Sequence, residues 1–313
     1  LERTNGTYRI TTDRGTWQAR NVVIATGYCD TPFVPEMSKN LPKDILQLVP
    51  SRYRNPDQLP KGGVLVVGAS ASGIQLADEI HQSGRPVTIS VGRHTRLPRL
   101  YRGKDILWWL DTMGVFDETI DKVYDIKISR GQPSLQLVGR PDHRTLDLAT
   151  LEAQGVRLVG RTVAANDDKV NFADDLIAYT AAADAKLAML LARIDEFVAR
   201  AGYAMEVGPA EPFVPFHWPV EAPTEISLRS ARITTVLWAT GFRRSYPWLK
   251  VPVLDERGEI RHLGGITSLP GLYALGLQFL RRRKSAFIDG VGDDAADLAE
   301  HITGRLENQD AVA

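Results

Sequence analysis

Apolar residues fall into distinct kinds of run along this chain. Two alternating stretches, TYRITTD from Thr7 and TWQARNVVIATG from Thr16, read as strands joined by a turn at Asp13-Arg14-Gly15, the second running into Gly27. From Gly63 the pattern changes to a continuous apolar run (64–67), a glycine-rich turn, a helix over about 71–82, Gly84 and a second apolar run (87–91). That is a βαβ unit, and it predicts a parallel α/β sheet. Helical spacing recurs at Ile106, Leu107, Leu110 and Met113. It is strongest at Leu176, Ala183, Leu187, Leu190, Leu191, Ile194, Phe197 and Val198, one face of a helix from near Asp174 to near Gly202. This stripe reads as core packing rather than a cofactor groove.

Two segments interrupt the pattern. Prolines at 32, 35, 42, 50, 56 and 60 predict irregular backbone and a linker between domains. The stretch VGPAEPFVPFHWPVEAP, 207–223, predicts an extended loop, read as a surface segment that packs its own rings, with the wall of a substrate channel as the alternative. An internal echo links the two ends of the chain: NVVIATGY at 21–28 recurs in type as TTVLWATGF at 234–242. Each is an apolar strand ending in Ala-Thr-Gly, where glycine lets backbone approach a ligand closely.

Composition narrows the function classes. Across 313 residues, 38 Lys plus Arg balance 38 Asp plus Glu, so no global field marks a nucleic-acid or membrane-surface binder. Cys29 is the single cysteine, which excludes an internal disulfide and a CxxC redox pair. No apolar run approaches the roughly 18 residues of a bilayer span, and a cytoplasmic location is expected. No metal site is read. The chain begins at Leu1, so an upstream segment is expected to be missing.

The sharpest chemistry lies in VLVVGASASGIQLADEI, 64–80. In a dinucleotide-binding turn the first glycine makes the tight turn, the second admits the pyrophosphate and the third lets the helix pack closely. Gly68 and Gly73 fill the first and third places, and Ser70 the second, with Ala69, Ala71 and Ser72 between them. The following helix N-terminus supplies N–H groups and a favourable dipole for an anion. After the next strand stands SVGRHTRLPRLYRGK, with Arg93 at the strand end, Arg96, Arg99, Arg102 and Lys104 behind it, and no carboxylate before Asp105. An arginine there suits a 2′-phosphate, whereas NAD sites place a carboxylate. NADPH is the expected cofactor, at Gly68 to Gly73 with Arg93, His94 and Arg96. His94, His217 and His262 have no partner in the sequence, and none is read as a catalytic acid or base.

With these motifs in view, the chain resembles the flavin-containing monooxygenase-like family. The resemblance rests on VVIATGY, SRYRNPDQLPKGGVLVVGASASGIQLADEI, SVGRHTRLPR, VLWATGF and PGLYALGLQFLRRRKSAFIDGVGDDAADLAEHI, in that order. It implies two Rossmann-like dinucleotide-binding domains, with the NADPH domain inserted into a discontinuous FAD domain that is here N-terminally incomplete. The implied division is 1–51 (FAD-domain remnant and linker), 52–230 (NADPH domain with a helical insertion at about 174–202) and 231–313 (return to the FAD domain). It places Thr26, Gly27, Gly276 and Gly290 near FAD, Thr240 and Gly241 near NADPH, and the helix after Gly290 with its N-terminus towards the flavin ring. The family's usual glycine turn for FAD would precede Leu1, and Val49 stands where the family usually carries a histidine.

The implied reaction is hydride transfer from NADPH to FAD, then O2 activation as a flavin C4a-(hydro)peroxide that oxygenates a small nitrogen, sulfur or ketone substrate. The implied partners are that substrate and O2, with a second polypeptide or the missing segment completing the FAD site. Two alternatives stay open: an NADP(H)-binding remnant without flavin catalysis, and an NADPH-dependent flavin reductase that does not oxygenate.

Overall fold

The computed structural model describes residues 1–139, 142–217 and 222–310. It forms two compact α/β units. One combines Leu1–Thr31, Gly114–Gln132 and Phe242–Ala313; the other combines Pro32–Met113 and Pro133–Gly241.

The second unit is built on five parallel strands in the spatial order Arg157–Val159, Val87–Ser90, Gly63–Val67, Ile233–Trp238, Leu46–Leu48. Gly63–Val67 lies at its centre and is wholly buried, which is why it reads as an unbroken apolar run. Alternate side chains serve opposite faces. Val64 and Val66 pack with Ile74, Ala77 and Ile80 of the Ala71–Gln82 helix. Leu65 and Val67 pack with Val236, Trp238, Phe172 and Ile226 on the other side.

This sheet corrects one expectation. The proline-rich segment is not only a linker, because Leu46–Leu48 pairs along Ile233–Trp238 as an edge strand. Three residues between Pro42 and Pro50 suffice, and no proline has to donate to the ladder. Two of the five strands lie outside 52–230, and the compact unit that holds the sheet combines Pro32–Met113 and Pro133–Gly241.

The long helix spans Leu176–Ala201 and stops at Gly202, whose φ of +80° suits glycine. Its stripe is core: Leu187, Leu191, Ile194 and Val198 are buried against Ile106 and Trp109, with Leu190 and Phe197 half-buried beside them. In the Ile106–Thr112 helix, Ile106 and Leu110 point inward, but Leu107 is exposed and Trp109 takes the inner position. The Asp105 carboxylate accepts the Leu107 N–H at 2.9 Å and sets where that helix starts. Residues 207–217 have no regular structure; Phe213 and Val214 face outward, Phe216 is half-buried, and Trp218 lies outside the described residues.

In the first unit, the expected strand from Thr16 to Gly27 is two strands in two sheets. Gly15–Ala19 closes an antiparallel sheet with Thr7–Thr12 and Glu2–Thr4. The chain then bends at Arg20-Asn21, and Val22–Ile24 runs parallel to Leu272–Ala274. The switch is fixed by Val22 N–H donating to Gly271 O at 2.8 Å and by Arg305 Nη1 donating to Asn21 Oδ1 at 2.8 Å. Residues 114–132 are sewn along the basic run near the C-terminus, and each of its cations meets a carboxylate. Arg281 pairs with Asp297 at 2.9 Å, Arg282 with Asp294 at 3.1 Å, Lys284 with Asp117 at 2.8 Å, and Arg283 with Glu118. Among the described residues no helix is long and apolar enough to cross a membrane.

Candidate functional site

In the second unit the chain order reverses beside Gly63–Val67: the following strands run to one side, and Ile233–Trp238 returns on the other. The crevice at the carboxyl ends of strands at such a switch point is where open α/β sheets bind ligands. Gly68 stands there with φ of +109°, and a Cβ on it would lie 2.4 Å from Ala239 O. A Cβ on Gly73 would lie 1.9 Å from Gly68 O. Both glycines are therefore demanded by close backbone approach, between turn and helix and between turn and the Ala239-Thr240 strand end.

Ser70 is the N-cap of the Ala71–Gln82 helix, in extended conformation and with no side-chain cap bond. Its short side chain leaves the first-turn N–H groups without a cap, which is what an anion needs from a helix N-terminus. Thr240 Oγ1 donates to Phe33 O, and Gly241, at φ of +86°, has open space where a side chain would be. The structure thus brings Gly68, Ala69, Ser70, Ala71, Ser72 and Gly73 together with Thr240 and Gly241. Gln136 completes the turn and had no signal in the sequence. Its amide donates to Ala69 O at 2.5 Å, while its Oε1 has no partner in a side chain 1% exposed.

The basic run behind the second strand separates into different environments. Arg93 is exposed at the strand end. His94 is buried, with Nδ1 donating to Gly92 O at 2.9 Å, and burial pushes its pKa down. Arg96 reaches Asp147 at 2.8 Å and Asp184 at 2.7 Å, and also donates to Val214 O. Arg99 pairs with Asp105 at 2.6 Å and Arg102 with Asp195 at 2.7 Å. Of the expected nucleotide residues, His94 is thus an interior imidazole, and Arg96 has its fork engaged by two carboxylates. The carboxylates that engage Arg96 and Arg102 come from residues 147, 184 and 195, too far along the chain for spacing to reveal.

In the first unit, Ile24 sits opposite Ala274, and Leu275 N–H donates to Ile24 O at 2.9 Å. Both strands then reach glycines of φ +73°, Gly27 and Gly276, each with nothing within 4 Å of a built Cβ. Thr26, Gly27 and Gly276 therefore share one end of one parallel pair, where a planar group can approach backbone. Gly290 is different: a Cβ there would lie 2.2 Å from Lys284 O, so its bare backbone serves the packing of the Lys284–Gly290 loop. The helix it precedes carries Asp293 and Asp294 in its first turn. Asp294 is wholly buried, burial raises its pKa, and Arg282 is its ion-pair partner. Those carboxylates already face the helix dipole.

Near the Gly276 loop, Arg130 donates from Nη2 to Phe279 O at 3.0 Å. His262 Nδ1 accepts from Gly265 N–H at 3.3 Å, and burial, then Arg130 and Arg244, push its pKa down to about 4. Arg244 pairs with Glu259. Among the described residues, no group of three or more His, Cys, Asp or Glu side chains could hold a metal ion.

A family model described as pyridine nucleotide-disulphide oxidoreductase matches residues 1–113. A flavin-containing monooxygenase from Stenotrophomonas maltophilia shares the fold with a TM-score of 0.56, at 16% identity, over 97% of this chain and 69% of its own. An ornithine N-hydroxylase of Kutzneria sp. 744, with reduced FAD, NADP+ and L-ornithine, aligns with a TM-score of 0.51 at 15% identity, over 96% of this chain and 68% of its own. An uncharacterized CzcO-like oxidoreductase of Geobacillus kaustophilus (strain HTA426) is 31% identical over 305 residues, 96% of this chain and 70% of its length. The protein accordingly belongs to the family of CzcO-like oxidoreductases.

Proposed function

We propose that this protein is an NADPH-dependent flavin oxidoreductase of the monooxygenase type, acting on a small molecule. The observation that carries the reading is the glycine turn at the switch point, followed on the next strand by Arg93 and no carboxylate. A pyrophosphate fits the uncapped first turn of the Ala71–Gln82 helix, since Gly68 and Gly73 keep side chains out of the approach. Gln136 holds the Ala69 carbonyl and so fixes the turn's shape before any ligand arrives. Thr240 and Gly241 form the rim of the same crevice, with open backbone for the rest of the nucleotide.

FAD fits the parallel pair of the first unit through its ring: Thr26, Gly27 and Gly276 offer bare backbone at one strand end. Bound FAD supplies a two-electron relay between NADPH and O2. The chain's own residues bind, orient and exclude water, and no side chain is assigned as acid or base. His262, held neutral near pH 7 with Nδ1 accepting from backbone, presents only an Nε2–H donor.

Dithiol chemistry is disfavoured, because Cys29 is alone in the sequence. The test follows NADPH oxidation by the chain supplied with FAD, together with O2 consumption and product analysis for a thioether, a tertiary amine and a ketone. Oxygenated product in proportion to NADPH supports a monooxygenase. NADPH oxidation that yields only hydrogen peroxide or reduced acceptor would instead make it a reductase.

A further inference from the structure

Two neighbouring strands of the second unit end in the same tripeptide. Val91-Gly92-Arg93 continues Val87–Ser90, and Val159-Gly160-Arg161 ends Arg157–Val159. The strands are parallel with Ser90 opposite Val159, and Val91 N–H donates to Val159 O at 2.9 Å. Ser90 Oγ donates to Gly160 O at 2.9 Å and accepts Thr162 N–H at 2.9 Å, pinning one strand end to the other. The backbone of Arg161 is anchored on both sides: its N–H donates to Asp175 Oδ1 at 2.9 Å, and its carbonyl accepts Ala173 N–H at 2.9 Å. Gly160 is obligatory in this turn, since a Cβ would lie 1.9 Å from Ala173 O.

The Arg161 side chain runs over the neighbouring strand end. Its Cδ lies 3.8 Å from where Gly92 would carry a Cβ. Its guanidinium contrasts with those of Arg96, Arg99 and Arg102, which hold carboxylates at 2.6–2.8 Å. Arg161 has one loose ion pair, Nε to Asp175 Oδ2 at 3.4 Å, and its side chain is 54% exposed. A rigid backbone thus presents a weakly engaged fork beside Gly92 and Arg93.

We propose that Arg161 is a second specificity-determining residue, whose guanidinium binds the 2′-phosphate of NADPH from the strand beside Arg93. This rests on the nicotinamide-nucleotide reading above. A phosphate monoester carries about two negative charges and three acceptor oxygens at neutral pH, more than one guanidinium satisfies. The carboxyl end of Arg157–Val159 lies directly beside that of Val87–Ser90, the strand end at which the 2′-phosphate is read. Parallel N–H···O bonds to phosphate are stronger than the 3.4 Å contact they replace.

The test measures binding of NADP+ and NAD+ to the whole chain by calorimetry, for the wild type, R161M, R161K and R157M, the last altering the opposite end of the same strand. R161M is expected to weaken NADP+ roughly tenfold or more and to leave NAD+ within about twofold, with a shallower dependence of NADP+ affinity on salt. R161K should fall between, and R157M should match the wild type. NADP+ binding unchanged in R161M overturns the proposal. So does equal loss of both nucleotides, which would mean a role at the adenine or in folding; retained NAD+ binding separates these from loss of the subsite. If the wild type binds neither nucleotide, the nucleotide reading itself fails, and the subsite with it.

Discussion

The two Ala-Thr-Gly strand ends are the same local structure in two different settings. Ala25-Thr26-Gly27 follows Val22–Ile24, and Ala239-Thr240-Gly241 follows Ile233–Trp238. Both glycines take left-handed φ, +73° and +86°, and both face open space. What differs is the neighbouring strand. Beside Ala239 stands Gly68, with a helix of uncapped N–H groups directly behind it. Beside the other end lies Leu272–Ala274, leading to Gly276, and the next helix begins only at Val291 with two aspartates in its first turn. The first setting carries the helix N-terminus of the proposed phosphate contact, and the second carries the bare backbone of the proposed flavin contact.

Glycine substitutions break this comparison most severely where backbone is already in contact. Gly73→Ala forces a Cβ to 1.9 Å from Gly68 O, so it should abolish NADPH binding and cost about 3 kcal/mol or more in urea unfolding. A variant that keeps both would show that the turn relaxes freely. Next in size, Arg96→Ala strands the buried Asp147 and Asp184 carboxylates, and a loss of about 3 kcal/mol is expected. Arg93→Met should leave stability almost unchanged while weakening NADPH; the reverse pattern would invert the roles assigned to these arginines.

The two open glycines sharpen the comparison with a smaller effect. Gly27→Ala and Gly241→Ala meet no atoms, so each should cost only the left-handed strain, about 1 kcal/mol. Their ligand effects should separate, with Gly241→Ala lowering NADPH affinity and Gly27→Ala lowering flavin affinity in equilibrium titrations. Parallel losses of both ligands would dissolve the distinction between the two ends.

Smallest is a pH effect in the first unit. His262 has its folded pKa pushed from 6.5 to about 4, so the unfolded chain takes up its proton first as pH falls. This contribution to stability is complete above about pH 6.5 and is lost progressively towards pH 4. His262→Gln should flatten the stability curve across that window, as followed by thermal melts. Identical pH profiles for the two proteins would contradict the burial and the Arg130 and Arg244 charges as the cause.

The sequence made the second unit legible wherever local pattern and packing agree. The central strand, the glycine turn, the Ala71–Gln82 helix and the Leu176–Ala201 helix carry periodicities that tertiary contacts reinforce. It failed where pairing is set by distant residues. Leu46–Leu48 looks like loop between prolines until Ile233–Trp238 lies beside it. The basic run after Arg93 looks like one patch, yet the structure sorts it by which carboxylates arrive from later in the chain. Arg161 and Gln136 gave no signal at all, because their placement depends on strand order and a buried amide contact rather than on spacing.

The second unit is proposed as a nicotinamide nucleotide site that favours the 2′-phosphate. It is tested most directly by fluorescence titration of the purified chain with NADPH and with NADH. NADPH is expected to bind tighter by at least about tenfold, with the preference reduced in Arg93→Met and lost when Arg161→Met is added. Equal affinity for the two nucleotides, or a preference undiminished in Arg93→Met, would contradict it.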